Sequence, residues 1–171
     1  MTVRFQSLKI ITEKEILPAA DYVFDGKTIT AATTQSPGKD EKLVDCKGLL
    51  GSKGWTDLRC FSGEPGQEYR ETLESLANAL MQGGMTAAVL LPNSTPPIQS
   101  KSEVAYLKNH SDLLFPTFHI QAAVTKDFEG KELTEMLDLN QYGVNLFGEG
   151  MVSLSHSDRM MKALQYLQKF N

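Results

Sequence analysis

The run Thr86-Ala87-Ala88-Val89-Leu90-Leu91 is the most informative segment for the fold class, because it is short, almost wholly apolar and ends abruptly at Pro92-Asn93. An uninterrupted apolar strand is typical of a parallel sheet that is covered on both faces. A helix is predicted immediately before this strand, and Gly83-Gly84 ends it. Its apolar residues have the spacing of one helix face: Leu73, Leu76, Ala77, Leu80 and Met81.

The same alternation of strand and helix continues through residues 54–171. Further strands are predicted at Trp55–Phe61, Phe118–Val124 and Gly143–Phe147, and further helices begin near Ser100 or Ser102, near Leu133 and at an N-cap Ser157. The strands lie about 30 residues apart, which is the length of one βα unit. Four such units indicate a parallel sheet with right-handed crossovers. Because an eight-unit barrel takes ~250 residues, we predict a partial TIM-type barrel of about four βα units.

Residues 1–53 show short β elements instead. Val3–Ile10 alternates apolar and polar residues, as a half-buried strand does. Asp25-Gly26 is a hairpin signal because glycine tolerates positive φ, and Leu43–Cys46 predicts a third strand. The sequence therefore predicts an α/β protein in which a small β-sandwich segment over 1–53 precedes the βα units of 54–171.

Composition and charge exclude several functional classes. The chain has 17 Lys and Arg residues against 21 Asp and Glu residues, which gives a formal net charge of -4. It therefore lacks the excess of basic residues that nucleic-acid binding needs. No apolar run reaches the ~20 residues of a membrane span, and the N-terminus lacks the apolar stretch of a secretory signal. Cys46 and Cys60 fit neither a disulfide framework nor a cysteine zinc site, so we expect a reducing cytoplasm.

The first predicted barrel strand and its loop read Gly54-Trp55-Thr56-Asp57-Leu58-Arg59-Cys60-Phe61-Ser62-Gly63-Glu64-Pro65-Gly66. This segment resembles the G-F-I-D-x-H-x-H-x-R-E-P-G signature of dihydroorotases in the amidohydrolase superfamily. Leu91-Pro92-Asn93-Ser94 is similar to the family's M-P-N-T, Ala123-Val124-Thr125-Lys126 to its A-x-T-K, and Gly143–Gly150 to its G-V-x-x-F-S-D-D-G. The resemblance implies a β-sandwich segment followed by the first half of an amidohydrolase-type (βα)8 barrel.

The family opens a cyclic amide with a hydroxide that a bound zinc activates. The family's H-x-H motif places two histidine side chains on the same face of a strand, because residues i and i+2 of a strand point in the same direction. These two positions correspond here to Arg59 and Phe61. Phe61 has no lone pair, and Arg59 is a permanent cation that repels a dication. The resemblance therefore implies degenerate metal positions, and we predict no bound metal, no other cofactor and no catalytic residue.

Two more family positions have changed. The arginine that clamps the substrate carboxylate in the family corresponds to Gly63, and the acidic pair corresponds to Gly148-Glu149. Glu149 is thus a third degenerate metal position: it is able to bind an ion, although a solvated loop carboxylate is the favoured interpretation.

Other signature residues are retained. Asp57 is expected to hydrogen-bond backbone, and Glu64-Pro65-Gly66 to shape the loop that leads into the next helix. Asn93 corresponds to a substrate-contacting asparagine of the family and is equally explained as a turn former after proline. Arg59 and Asn93 form a vestigial substrate-binding pair that would suit a carboxylate.

Three functional hypotheses follow. The leading one is a dihydroorotase-like chain of pyrimidine biosynthesis that lacks hydrolase activity and is a structural partner of aspartate transcarbamoylase, as the resemblance to non-catalytic family members implies. The alternative is an active amidohydrolase, a dihydroorotase or a related cyclic-amide hydrolase, of which this chain is an N-terminal fragment. The third is a homodimer that pairs the strand edges of two half-barrels.

Overall fold

The computed structural model describes residues 2–33 and 36–170. The chain divides into two compact units, Met1–Lys53 and Gly54–Asn171. The first unit is a small mixed sheet with the strand order β3-β2-β1-β4, in which β5 pairs with the far end of β1. Its strands are β1 (Thr2–Ile10), β2 (Ala20–Phe24), β3 (Ile29–Ala31), β4 (Glu41–Asp45) and β5 (Leu50–Gly51).

The long first strand is interrupted by a bulge. The pairing of β1 with β2 changes register between Phe5 and Leu8, and Ser7 has a φ of 56°. An extra residue in a strand reverses the alternation of its faces. Phe5 and Leu8, three residues apart, therefore pack in one small core with Tyr22 and Cys46. The predicted simple alternation from Val3 to Ile10 is wrong at this point.

The hairpin predicted at Asp25-Gly26 is confirmed between β2 and β3. The Asp25 carboxylate accepts hydrogen bonds from the backbone N–H groups of Lys27 and Thr28, at 2.8 Å each. These bonds hold the pKa of Asp25 below its usual range, because they stabilise the ionised carboxylate. Gly26 has a φ of 99°, a conformation that glycine adopts without strain.

The second unit is a four-stranded parallel sheet with the order β6-β7-β8-β9, so the predicted partial barrel of βα units is confirmed. Its strands are β6 (Trp55–Cys60), β7 (Met85–Leu90), β8 (Thr117–Ala122) and β9 (Leu146–Phe147). Its helices are α1 (Leu73–Gln82), α2 (Lys101–Ser111), α3 (Met136–Gln141) and α4 (Ser157–Leu167), with 3-10 turns at Lys126–Phe128 and Gln168–Phe170. The last strand is shorter than predicted, because Gly143 and Val144 are still bonded to the end of α3.

The main core lies between this sheet and helices α1 to α3. It is built from one face of each strand and the apolar faces of the helices, including Cys60, Leu73, Leu76, Ala88, Leu90, Val104, Leu107, Ile120 and Leu139. Cys60 is 6% exposed. Burial raises the pKa of its thiol to about 11, with a smaller contribution from the charges of Asp57 and Glu71.

Two of the four helices begin at residues whose side chains cap them. Thr72 caps α1, and Ser100 forms a capping box with Glu103 at the start of α2. Ser157 was the predicted cap of α4, but the helix already includes it, and His156 occupies the N-cap without a side-chain hydrogen bond. Among the described residues, no helix is long and apolar enough to cross a membrane.

Replacing Ser100 with alanine is expected to lower the free energy of unfolding by about 1 kcal/mol, because the first turn of α2 loses its side-chain acceptor. Urea unfolding followed by circular dichroism measures the change. Ser155→Ala, an exposed loop serine, is the matched control. Equal stabilities of the two variants would contradict the assigned cap.

Candidate functional site

A cavity of about 450 Å³ opens at the carboxyl ends of the parallel strands. This is the end of a βα sheet at which loops gather and barrel enzymes hold their sites. We call it the strand-end cavity, and its walls include Leu58, Arg59, Leu91, Gln121, Glu149 and Leu164.

A bulge in β6 brings Arg59 to the strand-end cavity. Asp57 is opposite Ala88 and Cys60 is opposite Leu90, so the single residue Val89 faces two residues of β6. Leu58 and Arg59 therefore both line the cavity, while Cys60 stays in the core. The Asp57 carboxylate accepts a hydrogen bond from the Arg59 N–H at 2.9 Å, as expected for a residue that bonds backbone.

Phe61 does not line the strand-end cavity with Arg59. Strand β6 ends at Cys60, so the alternation of strand side chains does not extend to Phe61. Its ring lies instead beneath the guanidinium of Arg70, at 5.3 Å from the ring centroid. The two positions that correspond to the H-x-H motif are thus separated in this chain.

Arg59 bonds across the cavity to the loop that follows β9. Its Nη2 donates a hydrogen bond to the carbonyl oxygen of Gly150 at 3.2 Å, and the side chain is exposed. A guanidinium has five N–H donors. The described residues give it no carboxylate partner, so a positive charge faces the cavity.

Glu149 is buried, at 7% exposure, so its interpretation as a solvated loop carboxylate is wrong. Its Oε1 accepts a hydrogen bond at 2.8 Å from the backbone N–H of Thr125, three residues after the end of β8. Its Oε2 is buried and has no hydrogen-bond partner among the described residues. The pairing of β8 with β9 draws this loop inward, a contact between segments that the local sequence does not encode.

Asn93 ties the end of β7 to the same loop. Its Nδ2 donates to the carbonyl oxygen of Glu149 at 3.1 Å, and its Oδ1 accepts from the N–H of Met151 at 2.8 Å. Gly150 has a φ of 59°, and a Cβ there would lie 1.8 Å from the Asn93 Oδ1. The structure therefore gives Asn93 a loop-fixing role that neither sequence interpretation included.

Gln121 is the cavity residue that the sequence reasoning missed. It lies on β8 between Ile120 and Ala122, which are both buried in the main core, so alternation turns it toward the cavity. Its Oε1 is buried and unpartnered among the described residues. Its side chain lies against Gly148, where an added Cβ would be 2.6 Å from the Gln121 Nε2. The available signal was a polar amide residue between the two apolar residues Ile120 and Ala122.

Glu64 organises the loop after β6, which confirms the role expected for Glu64-Pro65-Gly66. Its Oε2 accepts from the N–H of Leu73, the first residue of α1, and its Oε1 accepts from the Tyr106 hydroxyl on α2, at 2.8 Å each. Gly66 has a φ of 92°, and a Cβ there would lie 1.7 Å from the Thr95 carbonyl oxygen. The loop is thus held by one carboxylate and one obligatory glycine.

Gly63 has no room for a side chain. A Cβ at this position would lie 2.5 Å from the carbonyl oxygen of Gln67 and 2.6 Å from that of Glu71. Both are backbone atoms, which move only with the whole loop. An arginine would therefore require the segment around Gly63 to take a different path.

The described side chains do not fit a zinc ion. Among residues 2–33 and 36–170, no group of three or more His, Cys, Asp or Glu side chains is arranged to hold a metal. The strand-end cavity offers the oxygens of Glu149 and Gln121, but it also contains the fixed cation of Arg59. Catalytic zinc sites use three protein ligands, usually including histidine.

Replacing Glu64 with alanine is expected to lower the free energy of unfolding by about 2 kcal/mol, because two partly buried donors lose a charged acceptor. The pKa of Tyr106, which burial and then the hydrogen bond to Glu64 raise to about 12, should fall toward its usual value. Urea unfolding and ultraviolet titration measure the two effects. Glu132→Ala, an exposed carboxylate, is the control, and an unchanged Tyr106 pKa would contradict the assignment.

No protein-family model matches the chain. Among curated relatives, it is 32% identical over 132 residues to a dihydroorotase of Chlorobaculum tepidum, covering 77% of this chain and 30% of that protein. It is 30% identical over 157 residues to a dihydroorotase of Bacillus subtilis, covering 91% of this chain and 37% of the relative. The chain thus spans about a third of the length of the curated relatives it matches.

The fold is shared with a solved structure of an L-hydantoinase (dihydropyrimidinase) from Arthrobacter aurescens. The TM-score is 0.73 at 17% identity, with 98% of this chain and 38% of the other chain covered. The sequence relatives and the fold agree with the order of the signature segments along the chain. This chain belongs to the dihydroorotase family.

Proposed function

We propose that this chain is a non-hydrolytic member of the dihydroorotase family that acts as a structural partner of aspartate transcarbamoylase. The absence of hydrolysis is supported by the side chain of Arg59, which lines the strand-end cavity together with Glu149. A permanent positive charge disfavours a second cation at that point, and the metal-activated hydroxide of the family depends on such a cation.

The structural role is supported by which residues the chain retains. Glu64 and Gly66 shape the loop after β6, and Asn93 fixes the loop after β9. Residues that would supply metal ligands or a substrate clamp are replaced by Arg59, Phe61 and Gly63. Retention of the loop-shaping residues without the reactive groups fits a protein that acts by binding a partner through its surface rather than by catalysis in its cavity.

The same proposal places the chain in pyrimidine biosynthesis in the cytoplasm. Cys46 and Cys60 are both buried and free, which fits a reducing compartment. The partner is proposed from the resemblance to non-catalytic family members that assemble with aspartate transcarbamoylase.

A second candidate is an active amidohydrolase of which these 171 residues are one part. The buried, unpartnered Oε2 of Glu149 favours it, because a carboxylate oxygen in this state is a ready metal ligand. On this alternative, the other ligands come from residues outside the present chain.

We expect the purified chain to bind no stoichiometric zinc, to leave dihydroorotate unhydrolysed and to co-purify with aspartate transcarbamoylase. Elemental analysis, a hydrolysis assay and affinity co-purification from the native cells measure the three properties. Zinc that is lost in Glu149→Gln, together with turnover, would establish the second candidate. Absence of the transcarbamoylase from the co-purified proteins would contradict the partnership.

We also propose that two copies of the chain associate through the free edges of their half-barrels. Strands β6 and β9 form the two edges of the parallel sheet. The edge residues Trp55, Leu58 and Leu146 are exposed, at 62%, 71% and 39%. Exposed apolar edge strands are surfaces that proteins usually cover.

Analytical ultracentrifugation is expected to give twice the 18.9 kDa mass of one chain. Leu58→Lys should shift the protein toward the monomer, because a charge at the strand edge would have to be buried. Leu113→Lys, at a position 92% exposed in the loop after α2, is the control. A monomeric mass for the unaltered chain would contradict the homodimer.

A further inference from the structure

We propose that the strand-end cavity binds a small zwitterion, namely a free α-amino acid with an apolar side chain. The ammonium group would lie against the side-chain oxygens of Gln121 and Glu149, and the carboxylate against Arg59. This inference rests on the cavity alone and does not depend on the partnership with aspartate transcarbamoylase.

The two unpartnered oxygens define the first part of the ligand. Glu149 Oε2 and Gln121 Oε1 are both buried, and neither has a hydrogen-bond donor among the described residues. A buried acceptor without a donor is destabilising, and native proteins leave few of them. A primary ammonium carries three N–H donors and a positive charge, so it satisfies an amide oxygen and a carboxylate at once.

Arg59 defines the second part. Its guanidinium lines the same cavity and uses one donor on the Gly150 carbonyl oxygen at 3.2 Å. A ligand that carried only a positive charge would be repelled by this group. A ligand carboxylate would accept hydrogen bonds from the remaining N–H groups of Arg59 in the planar geometry that arginine favours. The two charge preferences together select a zwitterion over a simple amine or a simple acid.

The rest of the cavity wall defines the third part. Most of the remaining lining residues are apolar, and they come from β6, the loop after β9 and helix α4, including Leu58, Val152, Met160, Leu164 and Leu167. The volume of about 450 Å³ accommodates a side chain the size of leucine or phenylalanine. Burial of that side chain stabilises the complex by about 25 cal/mol for each Å² removed from water.

Isothermal titration of the full 171-residue chain with L-leucine and L-phenylalanine tests the proposal. For L-leucine, 4-methylpentanoate lacks only the ammonium and isoamylamine lacks only the carboxylate, so both are expected to bind at least about ten-fold more weakly. All titrations are run in EDTA, so that a metal bridge does not account for binding. No binding of either amino acid, or binding that EDTA abolishes, would overturn the proposal.

Two variants locate the site. Glu149→Gln and Arg59→Met are each expected to weaken L-leucine at least about ten-fold, whereas Glu132→Gln, which alters an exposed carboxylate, leaves the affinity unchanged. Thermal unfolding checks that Glu149→Gln retains its fold. If Glu149→Gln does not fold, the test rests on Arg59→Met. This variant is expected to bind L-leucine more weakly but to bind isoamylamine with unchanged or higher affinity. Equal losses for both ligands would overturn the assignment of the carboxylate to Arg59.

Discussion

A parallel sheet constrains the whole second unit. All four strands run in the same direction, so a segment that returns along the sheet must connect each strand to the next. The carboxyl ends of all four strands therefore lie at the same end of the sheet. The residues after β6, β7, β8 and β9 are therefore neighbours in space although they are far apart in the chain. The apolar run of β7 is the sequence feature that requires this arrangement, since it must be covered on both faces.

The loops at this end of the sheet are held by hydrogen bonds between segments. Glu64 joins the loop after β6 to the start of α1 and to the side chain of Tyr106 on α2. Asn93 joins the segment after β7 to the loop after β9. Gly66 and Gly150 allow the backbone to approach these groups more closely than any side chain would permit. The family signature residues that survive in this chain are thus those on which the shape of the loops depends.

The cavity that these loops surround is lined by both a cationic and an acidic side chain. Arg59 supplies a fixed positive charge, and Glu149 supplies a buried negative one with an unpartnered oxygen. Family membership accounts for the scaffold, but the chemistry of a site comes from its own side chains. The zwitterion proposed for this cavity would use both charged groups and the apolar side chains of α4.

The class of fold, the βα units and the hairpin at Asp25-Gly26 were predictable from local sequence patterns, because apolar periodicity and turn residues act over a few neighbouring positions. The sequence also identified Arg59, Asn93 and Glu149 through their places in a family signature. The burial of Glu149, the loop contacts of Asn93 and the place of Gln121 in the cavity depend on the tertiary structure. These properties arise where separate strand ends meet, and the bulges in β1 and β6 alter which side chains face inward. Contacts between distant segments depend on register and loop path, which local patterns do not specify.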